Sequence, residues 1–168
     1  MIITILGPPN SGKSAMAERL CLRLARQRRV RPVYLATLAD NDVHRDRLAR
    51  HRARRTPHWH MRDLNVTPRQ LSRVLRHQAR LRSCVLLDGL GPLVYAQTTR
   101  FQLMPSELRA LGQRVLTSIR MGARRGDWIV VDTPVERDLD TVLGGCLAQL
   151  HTQLALEGHL LHLERASL

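Results

Sequence analysis

The sequence predicts an α/β domain of three layers around a mostly parallel sheet. Three observations carry that expectation. Short, nearly continuous apolar runs recur along the chain, amphipathic helical stretches separate them, and a glycine-framed loop joins the first run to the first helix. A strand buried on both faces of a parallel sheet reads as a continuous apolar run rather than an alternating one. Strands alternating with helices form βαβ units, which are right-handed by the twist of their strands. With 168 residues, 43% of them hydrophobic, the chain can bury a sizeable core and is too apolar for a disordered tail. Aromatic residues are only 3%, so Leu, Val, Ile and Ala must fill that core.

The first element is the run "IITIL", Ile2 to Leu6. The stretch "SAMAERLCLRLARQ" follows it, with Met16, Leu20 and Leu24 spaced at i, i+4 and i+8, the period of one helix face. A second strand is expected over Pro32 to Thr37, "PVYLAT". "TPRQLSRVLRHQARL" then opens on Thr67-Pro68, an N-cap residue followed by a first-turn proline. "CVLLD" (Cys84 to Asp88) and "WIVVD" (Trp128 to Asp132) are two more strands, each closed by an acid. The helix "MPSELRALGQRVLTSIRMGARR" lies between them. "LDTVLGGCLAQLHTQLAL" is the last helix and "LLHLE", Leu160 to Glu164, the last strand. No repeat or linker interrupts the pattern, so one domain over residues 1–168 is expected.

The net charge is +13, which favours anionic partners: nucleotides, nucleic acids or acidic lipids. Arginine supplies nearly all of it, and Lys13 is the only lysine. Cys21, Cys84 and Cys146 are spaced for neither zinc nor redox chemistry, and read as buried reduced thiols suited to the cytoplasm. The first residues run straight into the glycine loop, so no signal peptide is expected, and no apolar stretch approaches the ~20 residues of a membrane helix. Low aromatic content and the lack of a helix-turn-helix or similar motif make nucleic acid an unexpected partner.

Gly7-Pro8-Pro9-Asn10-Ser11-Gly12-Lys13-Ser14 satisfies G-x-x-x-x-G-K-[ST], the phosphate-binding loop. Gly7 and Gly12 permit backbone angles and close approaches that a side chain would block. The loop's N–H groups then face phosphate oxygens, Lys13 places a cation at the β- and γ-phosphates, and Ser14 can ligate Mg²⁺ at a helix N-terminus that favours negative charge. A chance match in a chain of this length has odds on the order of one per cent, and here the motif also lies between a strand and a helix. The expected cofactors are GTP or ATP with Mg²⁺. Such a loop needs a strand-end acid to hold the metal directly or through water. Asp88 is preferred, with Asp132 the alternative because Asp132-Thr133-Pro134 reads more strongly as a turn.

Asn41 to Arg55, "NDVHRDRLARHRARR", is a basic run with little apolar content, followed by Thr56-Pro57 and His58-Trp59-His60. By itself it reads as a charged surface helix, and no Cys or acid cluster supports a metal at the two histidines. Together with the loop it resembles the bifunctional adenosylcobinamide kinase / adenosylcobinamide-phosphate guanylyltransferase family. The resemblance rests on "GPPNSGKS" after the first strand, "YLAT" in the second, an acidic residue and an Arg/His segment ending H-x6-H-W, and "VLLD".

The resemblance implies a RecA-like fold, a trimer, and two reactions. A phosphoryl group moves from ATP or GTP to the corrinoid's aminopropanol hydroxyl, and GMP then moves from GTP to that phosphate. It assigns the covalent GMP carrier to His51, and it sets Lys13, Ser14 and Asp88 at the triphosphate and Mg²⁺. The flanking arginines, Arg54 and Arg55 among them, can hold phosphate charge. The second half departs from the family. "DTPVERDLD" stands in place of an Asn-Glu-Val-Gly segment, His151-Thr152 in place of Asn-Gln, and "GLGPLVY" follows Asp88 where Thr and Asn are usual. These departures leave open a phosphate-loop kinase with another acceptor, or a nucleotide-binding relative without turnover.

Overall fold

The computed structural model describes residues 1–37, 59–64, 66–134 and 142–164. In chain order these form β1 (Ile2–Leu6), α1 (Lys13–Arg28), β2 (Pro32–Ala36), β3 (His60–Asp63), α2 (Pro68–Arg80), β4 (Cys84–Asp88), α3 (Leu90–Phe101), α4 (Pro105–Ala123), β5 (Asp127–Asp132), α5 (Val142–Glu157) and β6 (His159–His162). The strands make one six-stranded sheet in the order β3-β2-β4-β5-β1-β6. Every pairing is parallel, so the sheet is more uniform than the mostly parallel one expected.

The three layers follow from alternation along the strands. Val33, Leu35, Val85, Leu87, Trp128 and Val130 point to one face and are covered by α2, α3, α4 and α5. Ile3, Ile5, Tyr34, Leu86, Ile129 and Val131 point to the other, where Ala17, Cys21 and Ala25 of α1 pack on them. Each fully buried Leu, Ile or Val contributes roughly 1.5–3 kcal/mol of transfer free energy. These two faces therefore supply the main drive for folding.

The central strands β1, β2, β4 and β5 match the expected runs to within a residue at either end. α2 has the expected cap: the Thr67 hydroxyl accepts from the Gln70 N–H, and the Gln70 side chain reaches back to the Thr67 N–H. The edges differ from expectation. His60–Asp63 is a strand beside β2 rather than the tail of a basic run, and all four of its residues are exposed. β6 begins at His159 rather than Leu160, ends at His162, and is largely exposed rather than buried on both faces. The exposed edge strand β3 carries no apolar run for a sequence reading to find, whereas the two leucines of β6 marked the strand but not its bounds or exposure.

α3 was also not expected. Gly89 takes the left-handed N-cap position, and Pro92 falls in the first turn, where its missing N–H is no loss. A stretch that looks like a Gly-Pro loop therefore starts a helix. α1 and α3 leave the C-terminal edge toward opposite faces of the sheet. That divergence opens a crevice at the strand ends, where α/β sheets bind ligands.

Candidate nucleotide site

The glycine loop leaves β1 at that crevice. The Gly7 N–H donates to the Asp132 carbonyl (3.2 Å), and the Ser11 N–H closes a turn on the Pro8 carbonyl (3.3 Å). A Cβ at Gly7 would lie 2.7 Å from Ser11 Oγ and 3.0 Å from the Leu163 carbonyl oxygen, so this glycine serves close approach. Gly12 serves conformation instead. Its φ is +80°, a left-handed angle that L side chains resist, although the space around it is open. Asn10 also has positive φ (63°), tolerated because Asn visits this region more readily than most residues.

Gly12 is the N-cap of α1 and offers no side chain to its first amides. Those N–H groups have no acceptor within the helix, and the helix dipole makes their end positive. Lys13 is buried to 7% exposure and its Nζ donates to the Pro8 carbonyl (2.9 Å). Ser11 Oγ is buried without a hydrogen-bond partner. Uncapped amides, a buried ammonium and an orphaned hydroxyl at one turn fit a polyphosphate.

Ser14 Oγ donates to Asp88 Oδ1 at 3.0 Å, across 74 residues of sequence. A hydroxyl and a carboxylate held together at the first turn of α1 are hard oxygen donors of the kind Mg²⁺ takes. Among the described residues no cluster of three or more His, Cys, Asp or Glu could hold a metal by itself. A two-oxygen site of this kind fits Mg²⁺ better than Zn²⁺, because Mg²⁺ draws its remaining ligands from phosphate and water.

Asp88 is fixed from a second side. The Tyr34 hydroxyl donates to its Oδ2 (2.8 Å), and the Thr37 hydroxyl donates to its main-chain carbonyl (2.6 Å). Neither contact was foreseen; the only hint in the sequence is that Tyr34 and Thr37 belong to "YLAT". Trp59 packs edge-on against Tyr34, with ring centroids 6.0 Å apart. Thr37, the last described residue before position 38, therefore touches Asp88 directly, whereas Trp59, the first after position 58, enters β3 level with Pro32 and is linked to Asp88 only through Tyr34. His51, Arg54 and Arg55 themselves lie outside the described residues.

Asp132 is placed differently from Asp88. It is buried (3% exposed), and its Oδ2 accepts the Gly91 N–H at 2.8 Å and faces His151 Nε2 at 2.8 Å. The carboxylate thus joins the start of α3 to the middle of α5. The loop reaches Asp132 only through its main-chain carbonyl. His151 had stood out in the sequence only as a departure from Asn; its pairing with Asp132 needed the fold to become visible.

The three cysteines are free and buried, as expected. The fold brings Cys21 and Cys84 together, however, with their sulfurs 3.3 Å apart. The hydrogen bond to Cys84 and burial push the Cys21 thiol well up, so it is a packing group rather than a nucleophile.

An all-parallel, helix-covered sheet with a glycine loop entering a helix, and a strand-end acid bound to that helix's first serine, defines the class: a phosphate-loop α/β protein. The match to known families is more particular. Residues 3–152 match the family of cobinamide kinase / cobinamide phosphate guanyltransferase, and the chain belongs to it. Over 88 residues it is 40% identical to the bifunctional adenosylcobalamin biosynthesis protein CobP of Pseudomonas aeruginosa. That alignment covers 51% of this chain and 46% of the relative, about half the length of each. Among solved structures it is similar to a KaiC-like protein, PH0186, from Pyrococcus horikoshii. There the TM-score is 0.49 and the identity 13%, over 79% of this chain and 60% of that one.

Proposed function

We propose that this chain is a nucleotide-dependent transferase of cobalamin biosynthesis that phosphorylates adenosylcobinamide and then transfers GMP to the product. In the first reaction the acceptor hydroxyl attacks the γ-phosphorus of ATP or GTP. The bond to the β–γ bridging oxygen breaks, and the nucleoside diphosphate leaves. Lys13 and the α1 amides hold the phosphates through charge-assisted hydrogen bonds. Bound beside Ser14 and Asp88, Mg²⁺ would neutralise the charge that gathers on the leaving group.

In the second reaction a neutral His51 ring nitrogen attacks the α-phosphorus of GTP, and pyrophosphate leaves. The phosphate of the first product then attacks the His51-bound GMP, freeing the imidazole and giving the GDP-linked corrinoid. Arg54 and Arg55 would steady the phosphates. A trimeric assembly is part of the proposal.

The observation that carries this reading is the Ser14–Asp88 hydrogen bond at the uncapped start of α1. Support for a shared site comes from Thr37, whose hydroxyl bonds the Asp88 carbonyl just before residues 38–58 begin. The test is to incubate the protein with GTP labelled at the α-phosphate. Label should become acid-labile and protein-bound, and His51→Ala should abolish it while nucleotide affinity is kept. Label that survives in His51→Ala refutes the nucleophile assignment.

The buried Asp132–His151 pair favours a second reading. It links α3 to α5 behind the strand ends, with His151 standing where the resemblance implies an Asn. A kinase with a different acceptor would phosphorylate a small molecule without any labelled protein.

A further inference from the structure

The edge of the sheet opposite the glycine loop carries a charge that nucleotide chemistry does not use. In an all-parallel sheet every helix returns to its next strand at the N-terminal edge, and here the returns into β2, β4 and β5 lie side by side. Pro32 pairs with Cys84, and Cys84 with Asp127, so the three entries are level. Arg26, Arg28, Arg29 and Arg31 precede β2, and all are exposed. Arg80 and Arg82 precede β4, and Arg124 and Arg125 precede β5, again all exposed. The entries are also bonded together: the Asp127 N–H donates to the Ser83 carbonyl (3.2 Å), and the Arg125 guanidinium reaches the Arg80 carbonyl (3.4 Å).

Two ordinary explanations fall short. Arginines at helix C-termini answer the helix dipole, but each terminus presents only about half a negative charge. Three termini therefore offset roughly one and a half of eight cations. Ion pairing removes one more: among the described residues only Arg28 of the eight is paired, to the buried Asp127. Nor does the rim serve the loop. Five-residue strands rising about 3.3 Å per residue put roughly 17 Å between them, about two Debye lengths at physiological salt.

The rim has a shape as well as a charge. A recess of about 380 Å³ opens in it, with Arg26, Arg29 and Arg31 at its lip and Leu22, Val30 and Pro32 in its wall. Leu81 stands 43% exposed between Arg80 and Arg82, and Met1, at the same edge, is 37% exposed. Apolar side chains among cations suit a headgroup layer, which offers phosphate and acyl chain together. A bare phosphodiester backbone has nothing for them to enter, and the aromatic ring at this edge beside β2, Trp59, is half-buried and packed edge-on against Tyr34 rather than open for base stacking.

We propose that this rim is a docking face for an anionic lipid bilayer, holding the protein peripherally with its nucleotide crevice turned away from the membrane. No helix among the described residues is long and apolar enough to cross one, so attachment would be by surface contact alone.

The test is sedimentation of the full chain with vesicles. Vesicles of about one-third phosphatidylglycerol should bind it, neutral phosphatidylcholine vesicles should not, and binding should fall as salt rises. The variant Arg29→Gln/Arg31→Gln/Arg82→Gln/Arg125→Gln should lower partitioning at least about a hundredfold, with nucleotide affinity intact as the check on folding. The same number of charges removed from the outer faces of α2 and α4, at Arg69, Arg73, Arg109 and Arg114, should change it little. Leu81→Ser should weaken it severalfold at constant charge. Equal loss in both arginine variants would overturn the proposal. So would tighter binding to duplex DNA than to vesicles at equal phosphate, or full displacement by soluble glycerol phosphate.

Discussion

Helices α1 and α2 start in opposite ways. α2 closes its own N-terminus: Thr67 and Gln70 satisfy each other's orphan N–H groups, and Pro68 supplies none. α1 begins at a left-handed glycine with no side-chain cap, beside a buried lysine and a hydroxyl without a partner. Both obey the same physics, because the first amides of any helix need acceptors. A helix that satisfies them from its own sequence is structural. One that leaves them open at a crevice has them free for an anion, and stability given up at its cap is recovered only when that anion binds.

The contrast can be broken at α1 first. Lys13→Ala should lower affinity for a fluorescent purine triphosphate by about a hundredfold or more, the scale of removing one partner of a buried charge pair. Asp88→Asn should come next. It keeps the shape but removes the charge facing Ser14, so the gain in nucleotide affinity on adding Mg²⁺ should shrink roughly tenfold. Nucleotide binding measured without Mg²⁺ should change little.

Gly12→Ala probes conformation alone, since a Cβ there meets nothing within 4 Å. Forcing a left-handed alanine should cost about 1–2 kcal/mol in urea unfolding and weaken nucleotide binding as the amides turn away. The smallest effect sharpens the other side of the comparison. Thr67→Ala should cost about 1 kcal/mol, lowering Tm by roughly 2–4 °C, and leave nucleotide affinity untouched. If Thr67→Ala weakened nucleotide binding as much as Gly12→Ala, the distinction between the two helix starts would fail.

What the sequence disclosed follows from what each signal depends on. The glycine loop was legible because backbone geometry demands fixed residue types at fixed spacing. Asp88 was legible because an acid ending "CVLL" breaks an apolar run. The central strands were legible because burial on both faces leaves nothing polar in them. β3 was not, because water supplies no pattern at an edge; β6 was found from its two leucines but with shifted bounds and the wrong burial, and α3 was hidden by a proline that its first turn tolerates. The partners of Asp88 and Asp132 were invisible for another reason. Tyr34 is 54 residues from Asp88 and reaches it through the pairing of β2 with β4, while His151 is 19 from Asp132 and reaches it through the packing of α5 on the sheet.

The two margins of the sheet have a consequence for how the molecule behaves in company. β3 and β6 are each four residues long, and between them carry His60, Arg62, Asp63, His159 and His162. A strand so short and so hydrated is a poor template for another chain's backbone. The short, hydrated margins thereby discourage recruits at both ends of the six-stranded sheet, and self-association through strand addition is opposed by the edge strands themselves.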